Sequence, residues 1–309
     1  MTQLKSIALL DGYLAQIENI FPTKDILQQH INRSFIRDYY TESNLAYKFF
    51  HSKQGSVHMA LNADGQFNPA GYYEQANAVG KLLVDKGAGT RVLELGCGKG
   101  FNTIWLANEY PDVQFDAIDL TPHFLNLAKS GGSRFPNANF QLGDYHELPY
   151  DDRQYDVVFA VETVCHASDI ERVFREAKRV LKPGGHFLLF DGYRQEGFSK
   201  LDNRLIKAAR LVEITMAVND SMEIDQLLLM TTNVGFETVQ CEDISQSILP
   251  NLMKFEKLAI RFFKRKWRAK LLFRFFSPHL LKNAVAGLLM PITISERAQG
   301  YYKLVFINR

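Results

Sequence analysis

The chain has 309 residues, 46% of them hydrophobic, with a formal net charge of only +2. That length is long for one domain and short for two large ones, and the near-balanced charge excludes the global basic field of a nucleic-acid-coating protein. Three widely spaced cysteines (Cys97, Cys165, Cys241) form neither a disulfide framework nor a metal-ligand spacing, so no metal is expected and a reducing cytoplasm fits. The N-terminus has one basic residue and a short apolar run before Asp11, a poor match to a signal peptide. The run "AVAGLLMPITI" is too short for a membrane span and is broken by Pro291.

In chain order, residues 1 to about 60 read as helical, because apolar residues in "IALLDGYLAQIENIF" and, less cleanly, "DILQQHINRSFIRDYY" recur at helical spacing. Residues 61–73 carry Asp-Gly, Asn-Pro and Gly, the composition of a loop. Residues 72–87 read as a helix ending at Gly87. Strands then alternate with helices: strands at 91–95, 114–120, 139–143, 155–163 and 186–192, helices at 102–110, 122–132 and 169–181. The strands are apolar almost throughout, as when helices cover both faces of a parallel sheet. The rhythm predicts an α/β fold, a doubly wound, Rossmann-like, seven-stranded and mostly parallel sheet. A sixth strand falls at 235–245 and the last at 300–309, with helical patterns before and between them. The expected organisation is an N-terminal helical cap (1–74), a core (75–245), a basic helical insertion or lid (246–297) and the last core strand (298–309).

Gly96, Gly98 and Gly100 follow the first strand directly. Glycine permits positive φ and close ligand approach, and the next helix begins with free N–H groups. The dinucleotide fingerprint is G-x-G-x-x-G, whereas this turn is G-x-G-x-G preceded by Glu94. A carboxylate beside the turn serves a pyrophosphate poorly and a cationic ligand well. S-adenosylmethionine, with a sulfonium and an ammonium, is such a ligand. Asp119 ends the second strand 23 residues after Gly96, near the ~20 expected of an acid that grips ribose hydroxyls. Asp144, after the third strand, is placed to accept from an adenine amino group, with Leu120 and Tyr145 flanking the ring.

The segments "VLELGCGKG", "AIDLTP", "GDYHELP", "YDVVFAVETVCHASD" and "VLKPGG" occur in one order. On them, about residues 75–245 resemble the class I S-adenosylmethionine-dependent methyltransferases. The resemblance implies that Gly96, Cys97 and Gly98 lie against the methionine part of the cofactor, Asp119 binds its ribose and Asp144 its adenine. Enzymes that methylate base amino groups carry an (Asn/Asp)-Pro-Pro-aromatic turn after strand four. Here that position holds Glu162, three residues, then His166-Ala167. This pattern is similar to the sterol C-methyltransferases and the tocopherol-type enzymes near them, and it opposes a nucleic-acid substrate. Tyr40 and Tyr47 resemble the Tyr-x6-Tyr segment with which lipid-acting methyltransferases close over the cofactor, and Ser56 and His58 fall on the turn that follows.

Methyl transfer is an in-line displacement, in which the protein positions the acceptor and excludes water. Glu162 and His166, at a strand's C-terminal end, are the expected catalytic pair sharing a base role. His166 also has a plainer reading, as a histidine at the start of a helix bonded to backbone. Residues 253–282 hold ten Lys or Arg against one acid, interleaved with aromatic residues. Peripheral membrane contact, a lid over the acceptor and a solvated basic face all fit that pattern. The expected function is methylation of a small, lipophilic acceptor (a sterol, an isoprenoid or a prenylated ring), with carbon slightly favoured over oxygen or nitrogen. The expected location is the cytoplasm, with a membrane-surface association left open. A nucleic-acid methyltransferase and a cofactor-binding module without turnover are the alternatives.

Overall fold

Apolar runs that expose both faces to helices build the sheet, and what closes over its C-terminal edge is helical. A computed structural model describes residues 2–46, 52, 55–84, 86–265, 267, 272 and 278–309. Its strands are β1 (Arg91–Leu95), β2 (Gln114–Asp119), β3 (Ala138–Leu142), β4 (Tyr155–Val161), β5 (Leu181–Arg194), β6 (Phe236–Asp243) and β7 (Gln299–Asn308). They form one sheet in the order β3-β2-β1-β4-β5-β7-β6. β1 to β5 pair in parallel, and β7 runs antiparallel between β5 and β6. This is the doubly wound, seven-stranded, mostly parallel sheet that the alternation predicts. Strand order reverses between β1 and β4, and open α/β sheets bind ligands at the C-terminal ends of strands at such a point.

Successive residues of each central strand feed opposite cores, as a period of two requires. Leu93, Leu95, Val158 and Leu189 face α7 (Ile170–Val180) and α9 (Ile224–Val234). Val92, Phe159 and Phe190 face α4 (Glu74–Lys81), α5 (Phe101–Glu109) and the start of α10 (Ser245–Phe263). On the first side the rings of Phe174, Phe187 and Phe306 lie 5.1 to 6.2 Å apart. Each fully buried phenylalanine contributes roughly 1.5–3 kcal/mol of burial. Helix starts follow their capping chemistry. The Asp169 side chain accepts from Arg172 N–H at 2.9 Å to begin α7, and Pro122 opens α6 (Pro122–Gly132).

A third layer is helical. α1 (Thr2–Glu18), α2 (Thr23–Leu27), α3 (Arg33–Ala46), α8 (Asn203–Thr215), α10 and α11 (Pro278–Ser295) share one apolar core, with Leu10, Ile17, Leu211, Val285 and Leu289 at its centre. The N-terminal and C-terminal helices thus pack on each other, and α8 joins them although it lies within 75–245. Over its described part α10 turns Lys257, Arg261 and Lys264 outward and buries Leu252, Ala259 and Phe263. Among the described residues no helix is long and apolar enough to cross a membrane.

Three local expectations change. Residues 55–60 are not helical: Gly55 takes φ +95, and the N–H groups of Met59 and Ala60 are claimed by Glu162 (2.7 Å) and Asn251 (2.8 Å) instead of by a helix ladder. α4 ends at Lys81, short of Gly87, and is preceded by a 3-10 turn over Pro69–Tyr73. β5 begins at Leu181, so the Lys-Pro-Gly-Gly turn sits within its span, with Gly184 at φ +76. Tyr47, together with 266, 268–271 and 273–277 of the basic segment, lies outside the described residues.

Candidate active site

The C-terminal ends of β1, β2 and β4 open into a cleft of about 590 Å³. Its floor is the glycine turn, where Gly96, Gly98 and Gly100 hold φ of +69, +54 and +80. A Cβ on Gly96 would lie 2.0 Å from Thr163 Oγ1, and one on Gly100 would lie 2.9 Å from Phe140. Glycine is therefore required at both for space as well as for backbone conformation. Asp119 braces the turn: its carboxylate accepts from Gly98 N–H at 2.8 Å and Thr121 N–H at 2.7 Å. Burial, partly offset by these donors, raises its pKa above the ordinary carboxylate value.

Gly96, Gly98, Asp119, Leu120, Asp144 and Tyr145 all line this cleft, as do Tyr40, Glu162 and His166. Three other residues expected at the cofactor do not reach its wall. Glu94, 2% exposed, points to the start of α5, where it accepts from Asn102 Nδ2 at 3.0 Å, Thr103 N–H at 3.2 Å and the Thr103 hydroxyl. It anchors the helix that follows the turn, and burial pushes its pKa up to about 7. Ser56 is folded onto its own loop, bonded to His58 O and N–H at 3.2 and 3.3 Å. Cys97 packs into an apolar cluster with Ala117, Leu125 and Phe140. Cys97 sits between the lining residues Gly96 and Gly98 and Ser56 beside Val57, each turned the other way, and Glu94 is drawn to the unpaired start of α5.

Asp144 is in the cleft but engaged. It accepts from His146 N–H at 2.9 Å, meets His146 Nδ1 at 2.6 Å and pairs with Arg33 of α3 at 2.8 Å. A cap arginine thus reaches the position expected to meet adenine, which no sequence motif announced. Tyr145 hydroxyl donates to Thr163 O at 3.2 Å, fixing its ring beside the cleft.

At the end of β4 the chain turns sharply, and Glu162 sits at φ +50, a conformation that costs a non-glycine residue roughly 1–3 kcal/mol. Its Oε1 accepts from Met59 N–H at 2.7 Å and Tyr301 hydroxyl at 2.8 Å. Burial first, then the nearby Asp191 carboxylate, pushes its pKa up to about 7. His166 follows in a short 3-10 turn. Its Nδ1 lies 3.0 Å from the Ala217 carbonyl, which can only accept, so Nδ1 carries the proton. Burial lowers its pKa and keeps the ring neutral, leaving Nε2 to accept from Tyr40 hydroxyl at 2.6 Å. The plainer reading of His166, a histidine bonded to backbone, describes its Nδ1, while Nε2 faces Tyr40 at the cleft.

Behind this wall lies a second cavity, of about 120 Å³, between the ends of β5 and β7 and the cap. It shares Tyr40, Val57, Glu162, Cys165 and His166 with the first. The rest of its lining is mostly apolar, including Met59, Val212, Met216, Ile248 and Ile294. Asp191, 1% exposed, adds a carboxylate that accepts from Cys165 and Gly192 N–H at 2.9 Å each. Its pKa is pushed up to about 6 by burial. Asp191, Tyr193, Tyr301 and Arg33 were not found from sequence. Only Asp191, an acid ending an apolar strand, carried a local signal.

The donor set decides which nucleotide the cleft suits. Asp119, Asp144, Glu162 and Asp220 line it, and its arginine, Arg33, is already paired to Asp144. Such a wall repels a pyrophosphate and suits a ligand that is cationic and rich in hydroxyl groups. Residues 93–189 match a family described as a methyltransferase domain. The chain is 31% identical over 170 residues to 27-O-demethylrifamycin SV methyltransferase of Amycolatopsis mediterranei, covering 54% of this chain and 61% of that one. It is 29% identical over 163 residues to a sterol 24-C-methyltransferase of Neurospora crassa, covering 50% and 41%. It therefore spans less than two thirds of the length of either relative. A solved geranyl diphosphate C-methyltransferase from Streptomyces coelicolor superposes with a TM-score of 0.64 at 13% identity, covering 93% of this chain and 97% of that one.

Proposed function

We propose that this chain, whose residues 93–189 match a methyltransferase domain, is a class I S-adenosylmethionine-dependent methyltransferase that methylates a small, lipophilic acceptor at carbon or oxygen. The observation that carries this reading is the pair of cavities meeting at Tyr40, Glu162 and His166, one lined by the glycine turn and Asp119, the other mostly apolar. Gly96, Gly98, Asp119, Leu120 and Tyr145 would hold the cofactor, whose chemistry when bound is to supply an electrophilic methyl group. Asp119 takes hydroxyl groups through lone pairs that Gly98 and Thr121 leave free.

The chain's own groups then manage the acceptor's proton. Glu162, poised near neutrality, takes the proton that the methyl group replaces. Tyr40 and His166 form a second route: the neutral Nε2 accepts the Tyr40 proton as the phenol oxygen takes one from the acceptor. General bases of this kind contribute roughly 10²–10⁴-fold. Sterol, isoprenoid and ring acceptors all match the apolar lining. The turn after β4 speaks against nucleic acid.

The test is transfer of a labelled methyl group into a fractionated cell extract, with S-adenosylhomocysteine affinity measured separately by calorimetry. Label in the lipid or small-molecule fraction is expected, and label in RNA alone would reverse the choice of acceptor. His166→Ala is expected to keep cofactor affinity and lose roughly 10²-fold in turnover. Unchanged turnover would remove His166 from the mechanism.

A further inference from the structure

The basic segment of the sequence has a described part that lines neither cavity, and the fold fixes which way that part points. Met253, Lys257, Arg261 and Lys264 lie along α10 and its C-terminal cap, and all four are exposed. Steps of four and three residues keep side chains on one face of a helix, so the four form a stripe about 16 Å long at 1.5 Å per residue. Arg265 and Trp267 follow directly in the chain, both exposed, the indole at 62%.

The stripe is not neutralised from within the protein. Glu256, the acid of this stretch, turns to the core, where its carboxylate accepts from the Tyr13 hydroxyl at 2.9 Å. Lys257, Arg261, Lys264 and Arg265 enter no ion pair among the described residues. The outer face of α7 differs, since its Arg172 and Arg175 pair with Glu147 and Glu171. A solvated helix face interleaves signs in this way, whereas four cations without an acid project a positive field. The opposite face of α10 is committed to the core through Leu252, Ala259 and Phe263, so a partner meets the cations and not an apolar groove. Single-stranded nucleic acid is held in a groove with stacking aromatic rings. This convex helix offers instead one indole and one thioether among charges, a mixture that suits the headgroup level of a membrane.

We propose that the outer face of α10, from Met253 to Arg265, docks together with Trp267 on an anionic membrane surface, the cations on lipid phosphates and the indole among the headgroups. The contact goes beyond the methyl-transfer reading and stands without it. Where that reading holds, the contact has a use. Ile248, in the first turn of α10, walls the second cavity, as do Met290 and Ile294 of α11, which packs on α10. A lipophilic acceptor dissolved in the membrane then lies against the helix pair that borders its site.

The test is cosedimentation of the full chain with phosphatidylcholine vesicles made with and without phosphatidylglycerol, with indole fluorescence read alongside. The wild type is expected to pellet with the anionic vesicles alone, to be released as salt rises, and to shift its emission to shorter wavelength. Trp267→Phe is expected to abolish that shift, because the other tryptophan, Trp105, is held on α5 by Asn77 at 3.2 Å. The combined variant Lys257→Ala, Arg261→Ala, Lys264→Ala is expected to bind on the order of a hundredfold more weakly, since each Lys or Arg near such a surface strengthens attachment roughly fivefold. Its thermal unfolding midpoint, close to that of the wild type, reports that it is folded. No pelleting at low salt, equal pelleting with neutral vesicles, a shift that persists in Trp267→Phe, or undiminished affinity in the triple variant overturns the proposal. So does tighter binding of an RNA oligonucleotide than of anionic vesicles. None of these outcomes touches the methyl-transfer reading, which the labelled-methyl assay decides.

Discussion

Replacing Glu162 by glutamine separates what this side chain does for stability from what it does for turnover. The amide oxygen can keep the hydrogen bonds from Met59 N–H and Tyr301 hydroxyl, so packing is conserved and the charge is removed. Burial lifts the carboxyl from an ordinary 4.5 to about 7 in the folded protein. The native state therefore holds a proton that the unfolded chain has released between those values, and stability falls as pH rises through that window. Above the upper value the ionised form carries a cost on the order of 3 kcal/mol, at about 1.36 kcal/mol for each factor of ten in acidity. Glu94 and Asp191, pushed up to about 7 and about 6, add the same sign in wild type and variant, so the difference reports Glu162 together with its coupling to Asp191. Urea unfolding at pH 8 is expected to show Glu162→Gln more stable than wild type by up to about 3 kcal/mol, with the gap closing by pH 4. Turnover moves the other way. Wild-type kcat/KM is expected to rise through pH about 7 as Glu162 ionises, and the variant to lose that limb and roughly 10²-fold or more in rate. A variant no more stable at pH 8 than at pH 5, relative to wild type, would show that Glu162 is not held in a desolvated, strained place. A full rate in that variant would show that it is not the base.

Two further substitutions probe the frame around the site. Gly96→Ala places a methyl group 2.0 Å from Thr163 Oγ1 at φ +69, adding a clash to the ~1–2 kcal/mol that a side chain pays in that conformation. At least tenfold weaker S-adenosylhomocysteine binding by calorimetry is expected, and wild-type affinity would mean that the turn does not shape the cleft. Arg194→Met strips Glu213, 2% exposed at its side chain, of the bonds at 2.7 and 2.8 Å that neutralise it. A loss of about 3 kcal/mol is expected in chemical unfolding, the low end for a broken buried pair, since Arg210 stays at 3.0 Å.

Much of the core is legible in the sequence alone. Strand four's "YDVVFAV" and strand one's "RVLEL" are apolar on both faces, and only a covered parallel strand tolerates that. The glycine turn and Asp119 were legible for the same reason, since both are properties of a short segment: φ angles that exclude side chains, and an acid at a fixed distance along the chain. Residues 55–60 carry a helical pattern but are not helical, because the acceptors that hold their N–H groups, Glu162 and Asn251, lie more than a hundred residues away. Glu94 shows the same limit at shorter range. A carboxylate next to a glycine turn looks like a ligand group until the helix after the turn is seen to need it for its free N–H groups.

The sequence by itself determined the sheet, its order of elements and the nucleotide turn, because those depend on local periodicity and on backbone freedom at single glycines. Only the tertiary structure decided the second cavity. That cavity is assembled from the ends of β5 and β7, the loop at Val57–Met59 and helices α8, α10 and α11, and apart from Glu162 and His166 its polar residues come from segments far apart in the chain, so no spacing announces them.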